Sequence, residues 1–189
     1  MKNKGVEQMY LRRAEMKDLP QIESIIQDGK THLAAQNIDQ WQGGYPNTNV
    51  LVNDIQNGHT VVLVEGYEVL GTAAVIPAPD ESYQEIDGEW LTHDNTYVAI
   101  HRVAVSANHR GQGLSGKLFA AIFKEIEANS SIKGIRIDTH PDNKGMQHVI
   151  KKAGFSETGT VEVLADQQTS IRDFAYEKLT KTGSLVKTH

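Results

Sequence analysis

The 189-residue chain contains no cysteine. This absence excludes a disulfide framework, a zinc site built on thiolates and a cysteine nucleophile. Long apolar segments are also missing: Val61-Val62-Leu63-Val64 is among the longest apolar runs, whereas a membrane-spanning helix needs about 20 such residues. Residues 1–10 lack the apolar region of a signal peptide. We therefore expect a cytoplasmic protein that does not associate with membranes.

Positive charge is scarce as well. Lys and Arg number 19 against 24 Asp and Glu, which gives a net charge of −5 and a pI of about 5.9. Proteins that bind nucleic acid usually have a basic face and a pI above about 9, so we expect no nucleic-acid partner. The hydrophobic share of 39% and the charged share of 23% are those of an ordinary globular chain. The length favours a single domain over 1–189, with a core over about 9–179 and a frayed tail.

The hydrophobic pattern predicts strands and helices in alternation. Strands are expected over 9–13, 60–65, 69–76, 96–105, 134–139, 156–164 and 171–178. Helices are expected over 18–28, 31–37, 49–56, 113–128 and 143–152, with Gly29 ending the first of them. Residues 77–95 are polar and predict a long loop, of a length that is usually functional or mobile.

The segment from His101 to Lys117 combines a strand, a short connection, an Arg-Gly-x-Gly turn and a helix. Glycines allow backbone amides to approach a ligand closely, and a helix N-terminus adds unpaired N–H groups and a positive dipole end. This combination predicts an anion site for a phosphate or pyrophosphate, to which Arg110 adds a charge-assisted contact. A tight turn before a packed helix is the alternative.

Two nucleotide-binding patterns match this segment incompletely. Gly111-x-Gly113-x-x-Gly116 fits a dinucleotide fingerprint with Asp138 further on, but residues 106–110 separate the strand from the first glycine, and too few strand–helix units follow. The P-loop pattern fails because Leu118 stands where a hydroxyl must bind magnesium. Both interpretations are therefore disfavoured.

A third pattern, Arg/Gln-x-x-Gly-x-Gly/Ala, is matched by Arg110, Gly113 and Ser115, with Ser in place of the usual Gly or Ala. The strand 100–105 before it, and the segments 138–147 and 152–155 after it, fit the same pattern. On these residues the chain resembles the GNAT superfamily of acetyl-CoA-dependent N-acetyltransferases, over about 9–179 and most strongly over 97–156. The resemblance implies an α/β (α+β) fold: a mixed, mostly antiparallel sheet of six to seven strands with helices on both faces and splayed central strands.

The resemblance also implies acetyl-CoA as co-substrate. Main-chain groups of the central strand would pair with the pantetheine arm, and amides of the glycine loop would hold the pyrophosphate. Asn143 would contact the cofactor arm or, alternatively, cap the following helix. The expected cofactor-binding residues are Val103, Ala104, Val105, Arg110, Gly111, Gln112, Gly113, Leu114, Ser115, Gly116 and Asn143.

The catalytic groups are less clearly marked. Acetyl transfer to an amine requires a lone pair, so an ammonium substrate must first lose a proton. Where relatives often have a basic glutamate this chain has Ala99, and where they often have a tyrosine that protonates the leaving thiolate it has Ile150. The leaving-group acid is therefore unassigned.

His101 is the expected general base, because its unperturbed pKa suits proton transfer near neutrality. Alternation along the strand places it on the same face as Val103 and Val105. A half-buried structural histidine is the alternative, and Glu89 and Tyr97 are the alternative bases.

The acceptor side is expected to include two residues that end the neighbouring strand, Asp138 and His140. Trp41, Tyr45 and Trp90 lie in loops that would shape the acceptor pocket or anchor those loops to the core. The histidines show no His-x-His or His-x-x-x-His spacing, so we expect no metal site.

Two functions remain from the sequence. The first is an enzyme that moves acetyl from acetyl-CoA to a primary amine by direct attack in a ternary complex; a cysteine acyl-enzyme is excluded. The alternative is a catalytically weak module that binds CoA or acetyl-CoA as a sensor or interaction partner. Ala99 and Ile150 favour the module, whereas His101 and the aromatic loops favour the enzyme. The sequence does not identify the acceptor, and a homodimer, common among relatives, is left open.

Overall fold

The computed structural model describes residues 8–109, 111–164 and 170–186. The strands in this part of the chain are β1 (Tyr10–Arg13), β2 (Thr60–Glu65), β3 (Glu68–Pro77), β4 (Asp87–Gly88), β5 (Tyr97–Val105), β6 (Gly134–Thr139), β7 (Ser156–Leu164) and β8 (Ser170–Leu179). They form a single sheet with the order β1-β2-β3-β5-β6-β8-β7-β4. Among these strands, only β5 and β6 pair in parallel; the other neighbours are antiparallel.

The predicted fold class is confirmed, with one more strand than the six to seven expected. The additional strand is β4, which lies inside the predicted loop 77–95 and pairs with Thr160 and Gly159 of β7. Its two residues are too few to produce an alternating pattern, so the sequence gives no sign of it.

Helices cover both faces of the sheet, as expected. They are α1 (Leu19–Ala34), α2 (Thr48–Gln56), α3 (Leu114–Glu127), α4 (Lys144–Lys152) and α5 (Lys181–Val186). The apolar stripes of α1 and α2 pack against Val62, Val64 and Val69, and α3 and α4 pack on the opposite face. In the part of the chain described here, no helix is both long and apolar enough to cross a membrane.

Helix α1 continues five residues past Gly29, where the sequence predicts its end. Its apolar stripe, Ile22, Ile26 and Leu33, runs through this position and is buried. A Cβ on Gly29 would lie 3.1 Å from the ring of Trp41. Gly29 therefore provides room for a tertiary contact rather than a helix stop, which a local pattern does not show.

The tail expected to fray is partly structured. Thr180 is buried, its amide donates to the carbonyl of Lys133 at 2.9 Å, and α5 follows it. A Cβ on Gly183 would lie 2.1 Å from that same carbonyl oxygen. The start of α5 is thus packed against the turn that precedes β6.

A bulge interrupts β5. Thr72 of β3 lies opposite Ala104, yet Ala74 lies opposite His101, so β5 has one extra residue in this stretch. Arg102 has a φ of 54°, in the left-handed region that non-glycine residues rarely adopt. The extra residue shifts the alternation of side chains between the two faces of the sheet. As a result, Ile100 and Val103 both contact the core beneath α3 and α4. The prediction that His101 shares a face with Val103 is therefore wrong: His101 lies on the opposite face.

The two central strands separate after a short pairing. β5 and β6 pair only at Tyr97–Gly134, Val98–Ile135 and Ala99–Arg136. Beyond Ala99, β5 continues to Val105 without pairing to β6, while β6 stays paired with β8 as far as Thr139. The separation opens the sheet at the carboxyl ends of both strands and creates the cleft described next.

Candidate active site

The cleft between β5 and β6 has a volume of about 1690 Å³. One side is formed by the strand and loop residues expected to hold a cofactor. Those that line it are Val103, Ala104, Val105, Gly111, Gly113, Leu114, Ser115 and Asn143. Gln112 and Gly116 are not among the lining residues, and Arg110 lies outside the described residues.

The glycine loop has the backbone that its sequence predicts. Gly111 and Gly113 have φ values of 80° and 66°, in the region that favours glycine. A Cβ added at either position would meet no atom within 4 Å, so the space over the loop is open. Gly113 directly precedes α3, whose first amides have no partners within the helix. The loop thus presents backbone donors to an open cleft.

Asn143 caps α4 and also faces the cleft. Its Oδ1 accepts from the amide of Met146 at 3.0 Å, and its Nδ2 donates to Oε1 of Gln40 at 2.7 Å. The capping role foreseen as the alternative is the one its contacts show. The bond to Gln40 also ties the loop before α2 to the start of α4.

His101 is held between two carboxylates. Its Nε2 lies 2.8 Å from Oδ2 of Asp80, and its Nδ1 lies 3.8 Å from Oδ1 of Asp138. Burial would raise the pKa of Asp80, but the bond to His101 and the amide of Ser82 hold it below its ordinary value. Asp80 is therefore ionised near neutrality and accepts from Nε2–H, so that the neutral form of His101 has its lone pair on Nδ1.

Asp138 belongs to a buried hydrogen-bonded group. The hydroxyl of Tyr83 donates to Oδ1 of Asp138 at 2.5 Å, and the Tyr83 ring stacks on His101 with centroids 5.3 Å apart. Burial, followed by the nearby carboxylate of Asp138, raises the pKa of Tyr83 well above its ordinary value, so it stays a donor. Tyr83 therefore fixes both the carboxylate and the imidazole.

Asp173 of β8 lies diagonally next to Asp138: Asp138 of β6 is opposite Ala175, and Asp173 is two residues from Ala175 on the same face of the sheet. Burial, and then the charge of Asp138, raise the pKa of Asp173 to about 8. Two neighbouring buried carboxyl groups do not both ionise readily, so the pair holds one proton near neutrality. The sequence analysis missed Asp173, whose one signal is an acid at an inward position of β8, a strand that also buries Glu177.

A second ionic group joins the bulge to the acceptor side. Nε of Arg102 lies 2.7 Å from Oδ2 of Asp54, and both side chains are almost fully buried. A terminal nitrogen of Arg102 donates to the hydroxyl of Tyr45, which lines the cleft. The group links β5, α2 and the preceding loop, and the signal for it was Asp54 on the apolar stripe of α2.

The other expected acceptor residues divide into two groups. Trp41, Tyr45, Asp138 and His140 line the cleft, as does His101. Trp90 does not: it is buried, its Nε1 donates to the carbonyl of Tyr83 at 3.2 Å, and its ring lies 4.2 Å from the guanidinium of Arg136. Trp90 is thus a loop anchor, the alternative considered for it.

Neither alternative base lies in the cleft. The side chain of Glu89 is largely exposed beside His93, and the hydroxyl of Tyr97 accepts from the amide of Asp80 at 2.9 Å. Ile150 is fully buried in the core. Within residues 8–109, 111–164 and 170–186, no three His, Asp or Glu side chains are grouped as metal ligands.

A model of the Acetyltransferase (GNAT) family matches residues 22–155. The chain belongs to this family. A crystal structure of a GNAT-family acetyltransferase from Streptococcus agalactiae 2603 is 32% identical, with a TM-score of 0.81 over 94% of this chain and 98% of the other. The uncharacterized N-acetyltransferase YesJ of Bacillus subtilis (strain 168) is 23% identical over 152 residues, which are 79% of this chain and 83% of that protein.

The GNAT fold is also shared with the aminoglycoside acetyltransferase AAC(6')-Ib, solved with ribostamycin and coenzyme A. It is 19% identical, with a TM-score of 0.64 over 96% of this chain and 98% of the other. Family membership makes the chain an acetyltransferase enzyme, and it does not favour the alternative of a non-catalytic module. The segment matched by the GNAT model contains His101, Asp80 and Asp138 but ends before Asp173.

Proposed function

We propose that this GNAT acetyltransferase moves acetyl from acetyl-CoA to a primary amine by direct attack in a ternary complex. The observation that supports the proposal most is the cleft itself, with an open glycine loop at one end and the Asp80–His101 pair at the other. Relatives of the same fold are solved with coenzyme A. The glycine loop and the Asp80–His101 pair border one continuous cleft, which supports direct attack without an acyl-enzyme.

The cofactor side is built from backbone. Amides of the glycine loop and of the start of α3 suit a pyrophosphate, because a helix N-terminus attracts anions. Main-chain groups of Val103, Ala104 and Val105 lie on the edge of β5 that β6 leaves unpaired. An extended pantetheine arm can pair with that edge as a peptide strand does.

His101 is the proposed proton acceptor. Its Nε2–H is held by Asp80, so the lone pair of Nδ1 faces the side of the cleft where Asp138 lies. The acceptor ammonium gives its N–H proton to Nδ1, and the freed amine attacks the thioester carbonyl. No side chain is assigned to the leaving thiolate, since a thiolate departs without protonation more readily than an alkoxide does.

The acceptor side combines aromatic and acidic groups. Trp41 and Tyr45 border the cleft, and Asp138 with its neighbours supplies negative charge. Such a lining suits an amine that arrives as a cation with an apolar portion attached.

The proposal is tested by measuring thiol release from acetyl-CoA over a panel of primary amines, with mass detection of the acetylated product. We expect thiol release that depends on the amine, and a mass gain of one acetyl group on that amine. CoA at 100 times its Kd should raise the free energy of unfolding by about 2.7 kcal/mol, and NAD or ATP should not. Binding of acetyl-CoA without release over the whole panel would contradict the proposed transfer.

A further inference from the structure

The carboxyl groups of Asp138 and Asp173 form the acidic part of the cleft lining. They project from the neighbouring strands β6 and β8, and both residues border the open space. Asp173 is only 4% exposed, and its Oδ1 has no hydrogen-bond partner. A buried carboxyl oxygen without a donor is costly, so a ligand group that donates a hydrogen bond to it would be stabilised there.

The pair has almost no positive partner of its own. From β5 it faces His101, whose Nε2 is already bound to Asp80. Other titratable groups that line the same cleft include Asp80 from the segment before β5, His140 after β6, Glu162 from β7, and Tyr45, which is itself bound to Arg102. Tyr83, from the same segment as Asp80, donates to Asp138. Among the described residues, no Lys or Arg nitrogen lies within ion-pair distance of either carboxyl group.

The pair reduces its charge by sharing a proton, and that proton occupies the place where a cation would be most strongly attracted. With the proton the pair has a charge of −1; without it the charge is −2. An ammonium at the same place restores −1 and supplies the N–H donors that the carboxyl oxygens lack.

We propose that the Asp138–Asp173 pair is the subsite for the ammonium group of the acceptor. On binding, the ammonium replaces the shared proton, which leaves to solvent. The inference rests on the proposed function, because it specifies how that acceptor is held. Nδ1 of His101 lies 3.8 Å from Oδ1 of Asp138. An ammonium bound to Asp138 is therefore next to the lone pair that takes its proton before attack.

The exchange makes cation binding depend on pH. Because the pKa of Asp173 is about 8, the proton must be displaced at lower pH, and affinity for a cation falls by up to about tenfold per pH unit below that value. A neutral ligand of the same shape has no proton to displace, so its affinity should not change in this way.

The experiment uses benzylamine, an ammonium over this range, and benzyl alcohol as its neutral counterpart. Binding is measured calorimetrically at pH 6, 7 and 8 with saturating CoA, which prevents turnover. Repeating each titration in two buffers of different ionisation enthalpy counts the protons released. Asp173→Asn and Asp138→Asn keep the shape of each side chain. Asp142→Asn is the matched control, because this substitution removes the same charge near the same strand end, at a side chain that is 71% exposed.

For the wild type and Asp142→Asn we expect release of about one proton per benzylamine at pH 6 and 7, and affinity that rises about tenfold per pH unit. Asp173→Asn should bind benzylamine without proton release and with an affinity independent of pH. Carboxyl ¹³C shifts of the wild type provide a measurement without any variant: benzylamine should move the titration of the pair to lower pH.

Absence of benzylamine binding, or binding without proton release in the wild type, would overturn the subsite. The amine panel separates this result from a failure of the proposed function. Acetyl transfer without proton exchange would contradict the subsite alone. Proton exchange without any transfer would contradict the proposed reaction and support the cation site.

Discussion

The shared proton between Asp138 and Asp173 predicts a measurable pH dependence of stability. The folded-state pKa of Asp173 is about 8, against an ordinary value of 3.8. Between these values the folded chain retains a proton that the unfolded chain has lost. Stability from this source is therefore fully present below about pH 4 and declines as the pH rises towards 8. Asp173→Asn removes the effect, because its amide donates to Asp138 without titrating.

The magnitude follows from a single proton. A difference of one bound proton changes the free energy of unfolding by about 1.36 kcal/mol per pH unit. From pH 5 to pH 7 the wild type should therefore lose about 2.7 kcal/mol relative to Asp173→Asn. The difference between the two proteins is the quantity to follow, since the other titrating groups are common to both and cancel.

Urea unfolding at pH 5, 6 and 7, followed by circular dichroism and fluorescence, provides the measurement. Coincident curves from the two signals justify two-state free energies. Asp142→Asn serves as the control, and its difference from the wild type should not vary across this range, because its carboxyl group is exposed.

A difference between wild type and Asp173→Asn that stays constant from pH 5 to 7 would refute the reasoning. It would mean that Asp173 is ionised in the folded protein and that the pair holds no shared proton. The proposed exchange of that proton for an ammonium would then lose its physical basis as well.

Three further changes test other parts of the site. His101→Gln should lower kcat/KM by about 10²–10⁴ and remove the acidic limb of its pH profile, with acetyl-CoA affinity unchanged in direct titrations. Gly113→Val should raise the Kd for acetyl-CoA, since a side chain would occupy the open space at a φ of 66°, whereas Gly116→Ala, within α3, should bind normally. Arg102→Met should lower the free energy of unfolding by about 3–5 kcal/mol in urea titrations, because Asp54 stays buried without its cation; an unchanged midpoint would contradict that role.

Local patterns predicted the elements whose boundaries are marked by adjacent residues. The predicted strand 134–139 coincides with β6, and the predicted helix 113–128 differs from α3 by one residue at each end. In both, apolar periodicity and terminal glycines agree with the packing that the fold adopts. The glycine loop was predicted for the same reason, since its backbone conformation is encoded in adjacent residues.

The features that the sequence did not predict depend on contacts between distant segments. Helix α1 continues through Gly29, whose missing Cβ leaves room for the ring of Trp41. Arg102 adopts a left-handed conformation, and its guanidinium is bound by Asp54 and Tyr45. That bulge changed the face of His101, which alternation alone had placed with Val103. Asp173 became part of the site only through the pairing of β8 with β6.

The early end of the β5–β6 pairing has a consequence for aggregation. From Ile100 to Val105, one side of β5 has backbone groups that no neighbouring strand uses, and such edges normally attract strands of other molecules. Here the unused edge lies in the middle of the sheet, with β6 and β8 beside it, and not at the outer margin of the sheet. A strand of another molecule that approaches this edge therefore meets strands on both sides, unlike one that approaches an outer edge strand. Amides along this edge should exchange with solvent faster than those of the paired residues 97–99, until a ligand lies against them.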